Sequence, residues 1–141
     1  MALFLISVIG GNILSDVASN KSNQISVGVS TAILGYIGAL LAYLIINWKS
    51  LKRLGPLRCQ LVCMIGMITF FSLFLTVMGV RGGGVDIFGH LGGFAGGLAG
   101  AMLILPRIDR GSSILTRALG AVGLLALYLS TFLVFYLDKY K

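Results

Sequence analysis

The chain has 141 residues, of which 57% are hydrophobic and 11% charged, with no glutamate and only four aspartates. A water-soluble domain of this length carries far more charge, so the composition excludes one and reads as a membrane protein. The net charge of +7 does not point to nucleic acid, because the basic residues stand in the breaks beside apolar stretches, where they set orientation. The bilayer is the expected partner and nucleic acid is not.

Crossing a hydrocarbon core of ~30 Å takes ~20 helical residues. Five apolar stretches approach that length, at residues 1–17, 27–47, 57–80, 87–105 and 114–136. Their connections are short, so successive helices should run antiparallel in one all-α, polytopic transmembrane bundle forming a single domain over residues 1–141. No repeat, sustained heptad pattern or low-complexity tail interrupts it.

The first stretch follows Met1 directly, without a basic leader region or a small-residue cleavage site, and is expected to stay in the membrane. Asp16 near its outer end reads as a solvated helix end rather than as an acid serving a catalytic group. The connection at residues 18–26 is rich in Ser and Asn, whose side chains favour turns and helix starts.

That connection delivers the chain to Gly28 and Ser30. Ser30 falls in or just before the first turn of the second helix, where backbone N–H groups lack partners and the helix dipole is positive. Such a position suits an oxyanion, with the N–H groups of Gly28 and Ser30 as donors. For a lone serine among small residues, packing or capping is the ordinary role. Gly28, Ala32, Gly35, Ala39 and Ala42 make a small-residue stripe, and on an ideal helix Ser30 points about 160° away from both Gly28 and Ala32.

Trp48 closes the second stretch, and Tyr136 and Tyr140 close the last, as aromatic anchors at headgroup level. Cys59 and Cys63 are spaced i, i+4 with no further Cys or His to complete a metal site, so they read as small buried hydrophobes. No metal or cofactor is expected.

Residues 81–86, Arg-Gly-Gly-Gly-Val-Asp, form a connection in which Asp86 can cap the next helix. His90, the only histidine, follows in its first turn. An ionisable group inside a membrane is a functional candidate, with hydrogen-bonded glue between helices as the plain alternative. Gly89, Gly93 and Gly97 form one small-residue series and Gly92, Gly96 and Gly100 another, so this helix can meet a neighbour at backbone contact. His90, Gly93, Gly97 and Ala101 share a face that could pack on the stripe of the second helix.

With the N-terminus in the cytosol, Lys49, Lys52, Arg53, Arg58, Arg107, Arg110 and Arg117 fall inside and Lys21, Arg81, Lys139 and Lys141 outside. Seven against four favours that orientation.

Gly28-Val29-Ser30, followed by Ala32 and Gly35, resembles the G-x-S nucleophile motif of rhomboid intramembrane proteases. Gly89-His90-Leu91-Gly92-Gly93-Phe94-Ala95-Gly96-Gly97 resembles the same family's H-x-x-G-x-x-x-G helix, with His90, Gly93 and Gly97 filling the pattern. Gly10-Gly11-Asn12-Ile13-Leu14-Ser15 resembles the helix before the nucleophile, so the likeness runs from near residue 6 to residue 105.

The resemblance implies a serine endopeptidase with a Ser30–His90 dyad, no acidic third member and no metal or cofactor, cleaving transmembrane protein substrates from the outward side. It further implies that the chain begins at the family's third core helix, with residues 114–136 as an additional C-terminal helix. The family's first two helices, which carry side-chain oxyanion donors, would then be complementing partners. Two positions depart from the family pattern: Thr31 where glycine usually follows the nucleophile, and Leu34 where an aromatic commonly stacks on the histidine. Two other readings compete. A catalytically inactive rhomboid-like protein would bind transmembrane segments through the same grooves, although such proteins tend to lose the serine or the histidine. A channel or transporter subunit would want several intramembrane charges, and only Asp16 and His90 offer themselves.

Overall fold

A computed structural model describes residues 1–19, 29–53, 55–80, 86–108 and 114–139. Among these residues the regular structure is entirely helical: α1 Ala2–Ser19, α2 Val29–Ile46, α3 Trp48–Arg53, α4 Pro56–Val80, α5 Ile87–Ile104 and α6 Ile114–Lys139. Five of the six coincide with the expected spans to within about three residues at each end. By length and apolarity, Pro56–Phe74, Ile87–Ile104 and Ile114–Val134 are able to cross a membrane, while Ala2–Val17 and Ser30–Ile46 are shorter apolar helices.

The short helix α3 has no counterpart among the expected spans. α2 stops at Asn47, whose side chain donates from Nδ2 to the Tyr43 carbonyl at 3.2 Å and accepts from the Ile108 amide at 2.7 Å. The Asn47 carbonyl in turn takes the Leu51 amide at 2.8 Å, which starts α3 on the spot where α2 ends. Gly55 then adopts a φ of +31°, a conformation that glycine supplies without strain, and Pro56 opens α4 where a missing N–H is harmless.

α5 is the central element, packed against α2, α1 and α6. Its buried residues are all glycine or alanine: Gly89, Gly92, Gly93, Gly96, Gly97, Ala99, Gly100 and Ala101. Lipid tails are as apolar as leucine, so helix association here depends on close packing, and small residues allow it. On the α2 side Gly93 faces the Thr31 carbonyl and Gly97 the Gly35 carbonyl; on the α1 side Gly92 faces the Gly10 carbonyl and Gly96 the Ile6 carbonyl. α6 joins through Gly120, which abuts the α5 backbone near Ala99 and Leu103, and through the Tyr128 hydroxyl, which donates to the Ile6 carbonyl of α1 at 3.3 Å. The expected stripe on α2 is buried at Ala32, Gly35, Ala39 and Ala42, and Ala39, Ala42 and Ala101 form one core cluster.

α4 rests chiefly on α2 and α3, and most of its surface is free of protein; Phe70, for example, is 70% exposed. This corrects the reading of Cys59 and Cys63 as buried, since both are exposed on α4. In a membrane the outer face of a helix is as apolar as the inner one, so a small hydrophobic side chain carries no information about which side it occupies. The anchoring aromatics Trp48 and Tyr136 are exposed near the ends of their helices; Tyr140 lies outside the described residues.

Candidate functional site

α2 and α5 both begin at the same end of the bundle and run parallel, with Gly93 against Thr31 and, one turn further along both helices, Gly97 against Gly35. The start of α5 is held by Asp86, whose carboxylate accepts from the Gly89 amide at 2.8 Å and whose carbonyl accepts from the His90 amide at 3.1 Å. This N-cap fixes His90 in the first turn of α5. Ser30 is the second residue of α2.

The two side chains meet: Ser30 Oγ and His90 Nε2 lie 2.9 Å apart in hydrogen-bond contact. Helical phase alone predicts that Ser30 points off the small stripe, and it is indeed exposed while Thr31 and Ala32 beside it are buried. His90 is only partly buried, in contrast to Gly93 and Gly97 on the same helix. The pair therefore joins along the flank of the α2–α5 interface rather than inside it. A separation near 2.9 Å, with one ring nitrogen and one hydroxyl, is the geometry a serine needs for transfer of its proton to a base.

On that flank a cavity of about 160 Å³ opens between α2, α4 and α5, lined by Leu34, Thr69, Leu73, His90, Leu91 and Phe94 among others. Its walls are almost wholly apolar, and Thr69 turns its hydroxyl away to the Ile65 carbonyl at 2.7 Å. Leu34 thus occupies the neighbourhood of the imidazole where the resemblance implies an aromatic, and Phe94 of α5 itself supplies an aromatic ring to the same cavity. Phe94 carries no signal of this role in the sequence beyond lying one helical turn after His90. Asp16 is exposed and lines a different groove, between α1 and α6, with Tyr128 and Phe132. Gly28, the other expected backbone donor, lies outside the described residues.

Thr31, which the sequence marks only as a departure from a pattern, has a structural part of its own. It is 1% exposed, and its methyl group sits in the space that Gly11 of α1 and Gly93 of α5 leave by having no side chain. Three helices therefore close around one methyl immediately beside Ser30. Thr31→Ser removes that methyl and should lower stability by about 1 kcal/mol, the ordinary result of deleting one buried carbon. Thermal unfolding in detergent checks this, and an unchanged melting temperature would show that the slot is not tightly filled.

Residues 1–107 match the Rhomboid domain family. RHOMBOID-like protein 4 of Arabidopsis thaliana is 38% identical over 105 residues, covering 74% of this chain and 24% of that protein. RHOMBOID-like protein 7 of the same plant is 35% identical over 109 residues, covering 76% of this chain and 32% of that protein. Rhomboid-like protease 3 of Toxoplasma gondii is 34% identical over 100 residues, covering 70% of this chain and 35% of that protein. The chain thus spans about a quarter to a third of the length of these curated relatives. No solved structure matches it. The family match across three quarters of the chain, the glycine-lined helical bundle and the apolar spans agree: this is an integral membrane protein belonging to the rhomboid family.

Proposed function

We propose that the chain is the catalytic part of an intramembrane serine endopeptidase that cleaves transmembrane protein substrates with a Ser30–His90 dyad. The observation that carries the reading is the 2.9 Å hydrogen bond between Ser30 Oγ and His90 Nε2 at the starts of two parallel helices. In the first step the Ser30 hydroxyl donates its proton to Nε2 as Oγ attacks the scissile carbonyl carbon. The imidazolium then protonates the leaving amine as the C–N bond breaks, leaving an ester on Ser30. Water, deprotonated by the same nitrogen, releases the acid and restores the serine.

The Ser30 amide is among the first N–H groups of α2, which have no intrahelical acceptor, and it serves with that of Gly28 as donor to the oxyanion. The apolar cavity beside His90 suits hydrophobic side chains of a membrane-embedded peptide. The basic residues favour a cytosolic N-terminus, which puts the dyad in the outward half of the bilayer.

A fluorophosphonate, which phosphonylates an activated serine, tests the reading on folded, detergent-solubilised protein. Wild type should form a covalent adduct that peptide mapping assigns to Ser30, and Ser30→Ala should form none. Folded wild-type protein that stays unlabelled would instead favour the inactive reading, in which the grooves only bind transmembrane segments.

A further inference from the structure

The end of the bundle opposite the dyad carries a concentration of positive charge. Lys49, Lys52 and Arg53 lie on α3, Arg58 on the first turn of α4, and Arg107 adjoins Ile108, which is bonded to Asn47. Of the four aspartates, Asp16, Asp86 and Asp138 fall at the other ends of their helices, and Asp109 lies outside the described residues.

This charge is organised beyond what orientation requires. α3 is pinned by Leu51 and Ser50, both buried, and by the buried Asn47 before it, so Lys49, Lys52 and Arg53 are left on its exposed side. Trp48 is 47% exposed, and the Arg58 guanidinium stacks over its ring at 4.5 Å from the centroid. An indole is comfortable at headgroup depth, and the cation–π contact holds Arg58 at the corner where α3 meets α4. Guanidinium forks and ammonium groups are the donors that phosphodiesters take.

We propose that α3 and the first turn of α4 form a docking surface for anionic phospholipid headgroups, with Lys49, Lys52, Arg53 and Arg58 holding the phosphate. The site does not depend on the Ser30–His90 chemistry, so its failure would leave the protease reading untouched. α3 continues directly from α2 through Asn47, so a bound headgroup bears on the far end of the helix that carries Ser30.

Trp48 is the only tryptophan of the chain and therefore reports on this surface by itself. The protein is reconstituted in phosphatidylcholine vesicles in which a small fraction of either phosphatidylglycerol or phosphatidylcholine carries bromine on the upper acyl chain. Brominated phosphatidylglycerol should quench Trp48 several-fold more strongly than the same fraction of brominated phosphatidylcholine, and high salt should erase the difference. K49Q/K52Q/R53Q should abolish the preference, since each juxtamembrane charge is worth about 1 kcal/mol and three exceed a several-fold difference, with helix content unchanged. Equal quenching by the two lipids in wild type at low salt would overturn the proposal without recourse to any variant. So would a triple variant that keeps the preference, or millimolar inorganic phosphate abolishing it, which would mark a site for free anions.

Discussion

His90→Ala will slow phosphonylation of Ser30 by about 10³-fold or more while leaving the bundle folded. An unassisted serine hydroxyl is a poor nucleophile, and removing the histidine of a serine hydrolase costs nearly as much as removing the serine. His90 is the only histidine, so no second imidazole is present to substitute for it. The fold should tolerate the change because the first turn of α5 is held by the Asp86 cap and not by the imidazole. The substitution removes one hydrogen bond from a partly buried group, which is worth about 1 kcal/mol. Labelling rate and melting temperature measured on the same preparation separate the two quantities. Labelling that survives in folded His90→Ala would mean that Ser30 is not activated by His90, whatever their distance.

Gly97→Ala should have the largest effect on folding. A single added carbon at this position runs into the Gly35 carbonyl and its attached backbone, with no flexible side chain that could yield. The two helices must then separate, and overpacking of this kind costs about 3 kcal/mol or more. Because α2 and α5 carry the two halves of the candidate dyad, the same change should abolish labelling of Ser30. Gly66→Ala is the control within the same protein: its position on α4 faces open space, and alanine is the better helix former by about 1 kcal/mol. Thermal unfolding in detergent should show Gly97→Ala far below wild type and Gly66→Ala at or above it. Similar melting temperatures for both variants would mean that the α2–α5 contact is looser than the structure has it.

Much of the fold is readable from the sequence because the bilayer imposes its own grammar. A helix that must cross it is long and apolar, and the charges have to collect in the breaks, so the five principal helices stand out. The Ser30–His90 pairing is readable for a related reason: both residues open helices on the same side, and both helices carry small-residue faces. What stays hidden depends on facts that apolarity cannot encode. α3 is six residues long, and it follows a break at Asn47 whose side chain is bonded to a backbone amide 61 positions away. The occupation of the Gly11–Gly93 gap by the Thr31 methyl is a three-helix arrangement that no periodicity reveals. The outward facing of Cys59 and Cys63 escapes a sequence reading because lipid and protein interior look alike to a hydrophobic side chain.

The packing of α2 on α5 repeats along the two helices, Gly93 on the Thr31 carbonyl, Gly97 on the Gly35 carbonyl and Gly38 on the Phe94 carbonyl, with Ala39, Ala42 and Ala101 clustered beyond them. A surface that regular behaves as a ratchet whose teeth are all alike: sliding one helix by a single turn, about 5.4 Å, would offer it nearly the same fit. Such a slip would carry Ser30 out of reach of His90 altogether. Two features unlike their neighbours act as the pawl, the Thr31 methyl seated between Gly11 and Gly93 at one end and the Asn47–Ile108 bond at the other. Closeness and alignment are thus encoded separately, the first by residues without side chains and the second by two that have them.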